Sequence, residues 1–221
     1  MKIHERCGSS AGKLPVLPAP RRVGHSPSET TRRAPTEGQV SQRECQAYLQ
    51  GALHDGTRSE LHNTYRISQK GMDWLEKLQE CLAALGHKSW IYREGKTRSV
   101  YTLETTAAFL SLDFDPDSLE TEGEKVAYVR GYFDAEGGLP QQPSARFYIQ
   151  FTQKNRVELS KVRKILEGLG IRCGKIHNPS QRVDPDYWRF YVLTGSHRDF
   201  ARIVGSWHPR KGAILRCRMK I

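Results

Sequence analysis

The chain has 221 residues, 37% of them hydrophobic, and carries 35 Lys and Arg against 24 Asp and Glu, a net charge of +11. Its apolar runs are far shorter than the ~18 residues of a membrane span, so we expect no membrane segment. The excess of basic residues favours a polyanionic partner, because a basic surface gains free energy by releasing the counterions condensed on phosphates. Residues 121–221 carry 19 basic and 9 acidic groups, so this half should dominate such contact.

The start of the chain differs in composition from the rest. Residues 1–42 are rich in Pro, Ser, Arg and Gly and show no hydrophobic periodicity, which predicts a disordered basic tail. This segment lacks the apolar stretch of a secretory signal. The five cysteines are scattered without a CxxC pair, which argues against a disulfide framework or a zinc knuckle. We therefore expect reduced thiols and a cytoplasmic protein, or one of an organellar matrix.

From residue 43 the sequence becomes regular and repeats. The first unit, residues 43–112, has apolar residues at helical spacing at both ends and in the middle, with strand-like runs between these segments. Its predicted elements are an opening helix around 47–51, a strand ending at 66–70, a helix over 71–85, strands over 88–93 and 98–105, and a helix around 107–112.

The second unit follows an acidic, Pro-containing linker at residues 113–123 and spans residues 124–221. It has the same order of elements: an opening helix around 127–131, a strand over 150–154, a helix over 157–169, strands over 174–177 and 187–194, and a helix over 198–207. Internal repetition on this scale predicts an α+β fold of two tandem αββαββα repeats.

Each opening helix carries two small residues four positions apart, a spacing that lets two helices approach closely. If these helices pack on each other, the acids that follow them, Asp55 and Glu136, meet at one place. Paired carboxylates are hard oxygen ligands for Mg²⁺ and leave positions for water and phosphate oxygens. A bound metal ion can activate a water and stabilise the leaving oxygen of a phosphodiester. The alternative is a pair of ordinary helix-terminal acids, but recurrence in both repeats favours the metal site.

Residues 129–137, VRGYFDAEG, resemble the nine-residue signature of the LAGLIDADG homing endonucleases, with Glu in place of the final Asp. The resemblance covers residues 43–221 and includes the Gln-Lys ends of the matching strands. It implies a pseudo-twofold monomer whose two four-stranded antiparallel sheets form a saddle over the major groove of double-stranded DNA. It also implies Mg²⁺-dependent double-strand cleavage at a long, rare target site, by an intron-encoded enzyme.

The first repeat departs from this signature. Three residues separate Gly51 from Asp55, whereas four separate Gly131 from Glu136. One missing residue turns an ideal helix by about 100°, so the glycine and the acid of the first copy are not both expected to keep the family's positions. We assign the metal ligand to Asp55, because the chemistry needs the acid. For the neighbouring His54, a packed or solvent-facing role is favoured over metal ligation.

The resemblance also assigns roles outside the acids. Gln69 and Gln153 match strand-end positions that help to order water in the active site. Lys211 is a candidate for the basic residue that stabilises charge at the phosphate, and an ordinary lysine in a basic tail is an equally good interpretation.

The DNA-reading surface is predicted from strand alternation, which separates the two faces of each sheet. The outward residues are long polar donors and acceptors suited to base edges in the major groove. They are Arg66, Ser68 and Lys70 in the first repeat and Tyr148, Gln150, Thr152 and Lys154 in the second; Arg58, Arg93, Arg98, Lys175, His177 and Arg189 add base or phosphate contacts.

Two alternatives remain open on the same fold. An RNA-splicing maturase or a DNA-binding regulator would use the surface without cleaving, and the first of these would bind intron RNA. The shortened first motif keeps a nicking enzyme open as well. A basic α+β protein with no nuclease ancestry explains the charge but not the matched acids, and ranks last.

Overall fold

The computed structural model describes residues 40–95, 97–142 and 144–220. The tail predicted at residues 1–42 therefore lies outside the described residues, apart from its last three positions. Among the helices that are described, none is both long and apolar enough to cross a membrane. The remainder forms mixed helices and antiparallel sheets, which confirms the predicted α+β class.

The first repeat forms a four-stranded antiparallel sheet backed by two helices. Ser41 begins the opening helix by accepting a hydrogen bond from the backbone of Glu44, whose side chain bonds back to Ser41 N. The sheet order is β1-β2-β4-β3. The elements are α1 (Gln42–Ala52), a 3₁₀ turn (Leu53–Asp55), β1 (Gly56–Ser59), β2 (Thr64–Lys70), α2 (Asp73–Ala84), β3 (Ser89–Arg93) and β4 (Val100–Thr105).

The second repeat begins in the same way, with Thr121 and Glu124 forming a second capping box. Its sheet has the order β5-β6-β7. The elements are α3 (Glu122–Glu136), β5 (Gly137–Gly138), β6 (Gln150–Gln153), α4 (Arg156–Gly168), β7 (Trp188–Tyr191), a 3₁₀ turn (Thr194–Ser196), α5 (His197–Ile203) and α6 (Pro209–Met219).

Helices α2 and α4 show how closely the repeats correspond. Each ends at a glycine with a left-handed backbone, Gly86 at φ +78° and Gly170 at φ +77°. Beyond each glycine a backbone N–H returns to the helix, from His87 to the Leu82 carbonyl and from Ile171 to the Leu166 carbonyl, both at 2.9 Å. These are the glycine C-caps that the sequence predicts.

The helix predicted at 107–112 is wrong, because this segment forms turns. Six residues are too few to form a helix without strong support, since nucleating the first turn is costly. Here the side chain of Gln50 competes for the backbone: its Nε2 donates to the Ser111 carbonyl and its Oε1 accepts from Ser111 N.

The second sheet has three regular strands in its described part, where four were expected. The segment 173–177 does lie beside β7, but its pairing is limited to the isolated antiparallel bridges Cys173–Val192 and His177–Arg189. Gly174 lies within this segment, and glycine weakens a strand because it has no side chain to pack.

The helix predicted at 198–207 is shorter than expected, and a separate helix, α6, follows it at Pro209–Met219. Helix α5 ends at Ile203, and Gly205, at φ +60°, turns the chain. Pro209 then occupies the first turn of α6, where its missing N–H costs nothing. Helix α6 was not predicted, because its basic residues conceal a short apolar face.

Candidate active site between the two repeats

Helices α1 and α3 cross with their backbones in contact. A Cβ atom at Gly51 would lie 2.1 Å from the Tyr128 carbonyl oxygen, and one at Gly131 would lie 2.0 Å from the Tyr48 carbonyl oxygen. The two contacts are equivalent under exchange of the repeats. Only glycine fits at either position, so the pair of glycines sets how closely the two helices, and the acids at their ends, approach.

The missing residue of the first motif is compensated by the 3₁₀ turn. A 3₁₀ helix rises about 2.0 Å per residue and an α-helix about 1.5 Å. The path from Gly51 to Asp55 therefore advances about 7.5 Å, the same as the five α-helical steps from Gly131 to Glu136. The two repeats then differ by about 40°, instead of about 100°, in the rotation around the helix axis from the glycine to the acid. The assumption of an ideal helix was wrong, and Gly51 keeps its place in the crossing.

Asp55 and Glu136 lie close enough to interact. Burial and, after it, the charge of Asp55 raise the pKa of Glu136 to about 7, while Lys211 opposes the shift. Enclosure by the surrounding protein also raises the pKa of Asp55, although its side chain keeps access to solvent. The Gln69 side chain donates to Asp55 Oδ2 at 2.9 Å, and this hydrogen bond acts to lower the pKa of Asp55.

The glycines that follow the acids start the first strand of each sheet. Gly56 pairs with Ile67, and Gly137 pairs with Phe151. A side chain at Gly137 would collide with the Phe133 ring, at 2.1 Å from Cδ2. Each acid is therefore held between the end of a helix and the start of a sheet.

The donor set fits a magnesium-type cation. No group of three or more His, Cys, Asp or Glu side chains in the described ranges is arranged to hold a metal. Two carboxylates such as those of Asp55 and Glu136 would suit Mg²⁺, because this ion keeps several waters and takes its other ligands from phosphate oxygens.

Lys211 lies beside the acids but does not point outward. It is 5% exposed, and its Nζ donates to the carbonyl oxygens of Phe133 at 2.7 Å and Asp134 at 2.8 Å, at the end of α3. Burial lowers its pKa to about 8, although the charges of Asp55 and Glu136 are near enough to oppose this shift. The ammonium group thus caps the helix that carries Glu136.

Asp134, which the sequence analysis did not single out, is 1% exposed and joins α3 to the turn before α6. Its carboxylate accepts from Tyr48 Oη at 2.8 Å, from Trp207 N at 2.9 Å and from His208 N at 3.1 Å, and also from Ser206 Oγ. The one available signal was an acid inside an otherwise apolar helical motif.

Gln153 and His54 differ in role from Gln69. Gln153 Oε1 accepts from the backbone N of Lys154 at 2.7 Å, so the two strand-end glutamines are not equivalent. His54 Nε2 lies 2.8 Å from Tyr128 Oη, and burial lowers the pKa of His54 to about 4. It is a packed, neutral histidine at neutral pH.

The outer face of the first sheet carries most of the predicted reading residues. Arg66 lies opposite Glu104, and Ser68 opposite Thr102 with their hydroxyl oxygens 2.8 Å apart. Lys70 is exposed at the end of β2. Three predicted contacts lie elsewhere. Arg58 Nη2 donates to Asn63 Oδ1 at 2.8 Å. Arg93 pairs with Tyr101 and lies on the opposite face of the sheet. Arg98 is an exposed loop residue, and its carbonyl oxygen accepts from Arg93 Nε at 2.8 Å.

The outer face of the second sheet is also basic and aromatic. Gln150 lies opposite Tyr191, and Thr152 opposite Arg189. The Arg189 guanidinium lies over the Tyr191 ring, 5.4 Å from its centre. The remaining predicted residues flank these strands. The Tyr148 ring packs edge-on against the Tyr191 ring, and Lys154 follows β6. His177 forms a backbone β-bridge with Arg189, and Lys175 lies two residues before it.

Comparison with known proteins identifies this architecture. Residues 123–206 match the LAGLIDADG-like domain family, and a search of curated proteins found no significant match. The homing endonuclease I-DmoI in complex with DNA and Mn has a TM-score of 0.57, with 20% identity over 75% of this chain and 98% of that chain.

A second set of solved structures is as similar. Full-length DUF199/WhiA from Thermatoga maritima has a TM-score of 0.59, with 16% identity over 86% of this chain and 64% of that chain. The N-terminal LAGLIDADG domain of DUF199/WhiA has a TM-score of 0.58, with 16% identity over 75% and 82%. These identities establish the fold. Residues 123–206 thus match the LAGLIDADG-like domain family, and the chain shares the fold of I-DmoI.

Proposed function

We propose that this chain is a site-specific endonuclease, encoded within an intron, that hydrolyses both strands of duplex DNA with Mg²⁺ held by Asp55 and Glu136. The observation that carries the proposal is the close crossing of α1 and α3, which sets the two acids near enough for the charge of Asp55 to act on Glu136. The similarity to I-DmoI solved with DNA and Mn supports it.

The residues around the acids have distinct roles in this reaction. When bound, the divalent cation supplies Lewis-acid stabilisation of the charge that develops on the phosphate. Gln69 orients the Asp55 carboxylate through its 2.9 Å hydrogen bond. Lys211 fixes the end of α3 and adds a positive charge behind both acids. Before the cation binds, Glu136, with its pKa raised to about 7, carries a proton for part of the time at neutral pH, and the cation has to displace that proton.

The two outer sheet faces supply the duplex-binding surface. They present polar and basic side chains at regular strand spacing, as direct reading of base edges in the major groove requires. The surplus of ten positive charges in residues 121–221 supports binding to the phosphate backbone. We propose that one chain spans the target as a monomer, because each repeat contributes one sheet and one acid.

The proposal is tested by incubating the purified protein with intron-free genomic DNA of the source organism, in Mg²⁺ or EDTA, and sequencing all new ends. We expect one Mg²⁺-dependent double-strand break, lost in Asp55→Asn and in Glu136→Gln. Glu80→Gln is the matched control, because Glu80 is an exposed acid on α2 that pairs only with Lys77 at 2.7 Å among its described contacts. Cleavage that survives both active-site substitutions would refute the assignment, and a break in one strand would reduce it to a nickase.

A second candidate is a DNA-binding regulator or an RNA-splicing maturase that does not cleave. The observation that favours it is that full-length DUF199/WhiA and I-DmoI with DNA and Ca share the same TM-score of 0.59, so similarity of fold does not single out a nuclease. Salt-sensitive binding of DNA or of intron RNA, without new ends in Mg²⁺, would select this candidate.

A further inference from the structure

A carboxylate lies in the middle of the surface that we assign to DNA reading. Glu104, on β4, pairs with Arg66 on β2 and with Trp90 on β3, so the three side chains form one row across the outer face of the first sheet. Glu104 is 5% exposed, whereas Trp90 beside it is 42% exposed. The acid is therefore enclosed by its neighbours, while the row opens to solvent at Trp90.

Three donors hold this carboxylate. Arg66 Nη2 donates to Oε1 at 2.9 Å, Tyr92 Oη donates to Oε2 at 3.0 Å, and Thr64 Oγ1 donates to Oε1. Burial acts to raise the pKa of Glu104, but these hydrogen bonds outweigh it and lower the pKa, so the group is ionised at neutral pH. Glu104 is thus a fixed negative charge in a rigid polar cluster.

The fold does not require this acid. The corresponding position of the second sheet is Tyr191, because Gln153 pairs with Trp188 as Gln69 pairs with Tyr101. Tyr191 supports Arg189 through its ring rather than through a charge. Glu104 is accordingly a feature of one half of the surface and calls for an explanation beyond sheet stability.

The contacts limit what Arg66 can offer to a ligand. Its Nε is buried and has no hydrogen-bond partner in the described part of the chain, and one Nη2 hydrogen is used by Glu104. The hydrogens left for a ligand are those of Nη1 and the second hydrogen of Nη2. Guanidinium N–H groups pair with the O6 and N7 acceptors of guanine in the major groove. The neighbouring carboxylate also repels phosphate, which disfavours a backbone contact.

We propose that Glu104 is a positioning residue that holds Arg66 to read one guanine in the half of the target facing the first sheet. This inference rests on the proposed binding of duplex DNA. Holding the guanidinium before DNA arrives reduces the side-chain entropy lost on binding, and so sharpens the discrimination between guanine and other bases.

The test is selection from a random duplex library in EDTA, where cleavage is suppressed, followed by sequencing of the bound DNA. We expect the wild type to select a motif with guanine at one position that both Arg66→Lys and Glu104→Gln relax by roughly 5- to 100-fold, with the other positions unchanged. Tyr191→Phe is the matched control, since it alters the equivalent position of the second sheet and should leave that guanine preference intact.

Each other outcome overturns the inference in a recognisable way. If Glu104→Gln weakens binding evenly at all positions and lowers the melting temperature, Glu104 only stabilises the sheet. If the motif of folded Glu104→Gln equals that of the wild type, Arg66 needs no positioning. If the wild type selects no motif at all, site-specific duplex binding fails first and this inference falls with it.

Discussion

The contact between α1 and α3 sets where Asp55 and Glu136 meet, and Gly131→Ala tests it directly. A Cβ at this position would lie 2.0 Å from the Tyr48 carbonyl oxygen and 2.8 Å from the Ala52 nitrogen, whereas ordinary contact begins near 3.4 Å. Both atoms belong to the backbone, so no side-chain rotation relieves the overlap. The helices have to move apart, by about 1 Å or more.

The cost follows from overpacking a rigid core. Inserting a methyl group into a packed interior usually costs about 1–3 kcal/mol. Here the obstruction is backbone at the centre of the core, so we expect a loss of about 3 kcal/mol. That loss corresponds to a fall in melting temperature of roughly 6–12 °C for a domain of this size. Gly51→Ala should behave alike, because its Cβ would lie 2.1 Å from the Tyr128 carbonyl oxygen.

The assay compares urea unfolding and DNA cleavage in Gly131→Ala with those in Gly168→Ala. Gly168 is the last residue of α4, and a Cβ there meets no atom within 4 Å. The same substitution should therefore be neutral or stabilise by up to about 1 kcal/mol, because alanine favours the helix. Cleavage by Gly131→Ala should fall even at temperatures where it is fully folded. A loss of stability below about 1 kcal/mol with normal cleavage would refute the close approach as a requirement.

Three further substitutions probe the groups buried around α6. Asp134→Asn replaces an acceptor of two backbone N–H groups and should cost about 2–4 kcal/mol in urea unfolding; a loss within 0.5 kcal/mol, on the order of a surface change, would contradict the network. Between about pH 8 and 10.5, Lys211 holds its proton in the unfolded chain but not in the folded chain, so the stability of the wild type rises with pH. Lys211→Met should remove this rise. An unchanged slope of stability against pH in the variant would contradict burial of the ammonium group. As pH falls from 6.5 towards about 4, His208 of the unfolded chain takes up a proton that the folded chain does not, so the wild type loses stability. His208→Asn should lose less stability over this range. Melting temperatures of the two proteins that fall in parallel with pH would exclude a neutral imidazole in the folded chain.

Local signals explain which parts of the fold were predictable. Helices α2 and α4 follow from apolar residues at helical spacing and from Gly86 and Gly170, whose left-handed backbones end them. The crossing of α1 and α3 follows from small residues four apart. Each of these features is encoded within a few neighbouring residues, so the sequence alone carries it.

The features that were missed depend on contacts far apart in the sequence. The turns at 107–112 depend on Gln50, 61 residues before Ser111. Helix α6 is fixed in place by Lys211, whose partners lie 77 and 78 residues earlier. The 3₁₀ turn at Leu53–Asp55 also depends on distant contacts. The crossing with α3 fixes Gly51, and Asp55 leads directly into the sheet, so the chain between them has to fit this distance.

The two repeats share the crossing of α1 and α3 and the glycine C-caps of α2 and α4, but they differ at several groups that we assign to DNA or water. Gln69 donates to Asp55, while Gln153 accepts from the backbone beside it. Glu104 holds an arginine by charge where Tyr191 supports one through its ring. A palindromic target would present identical base edges to these unlike faces and would waste the contacts of one half. We therefore expect the selected DNA to be non-palindromic, with the two half-sites differing most where Arg66 and Arg189 approach the bases.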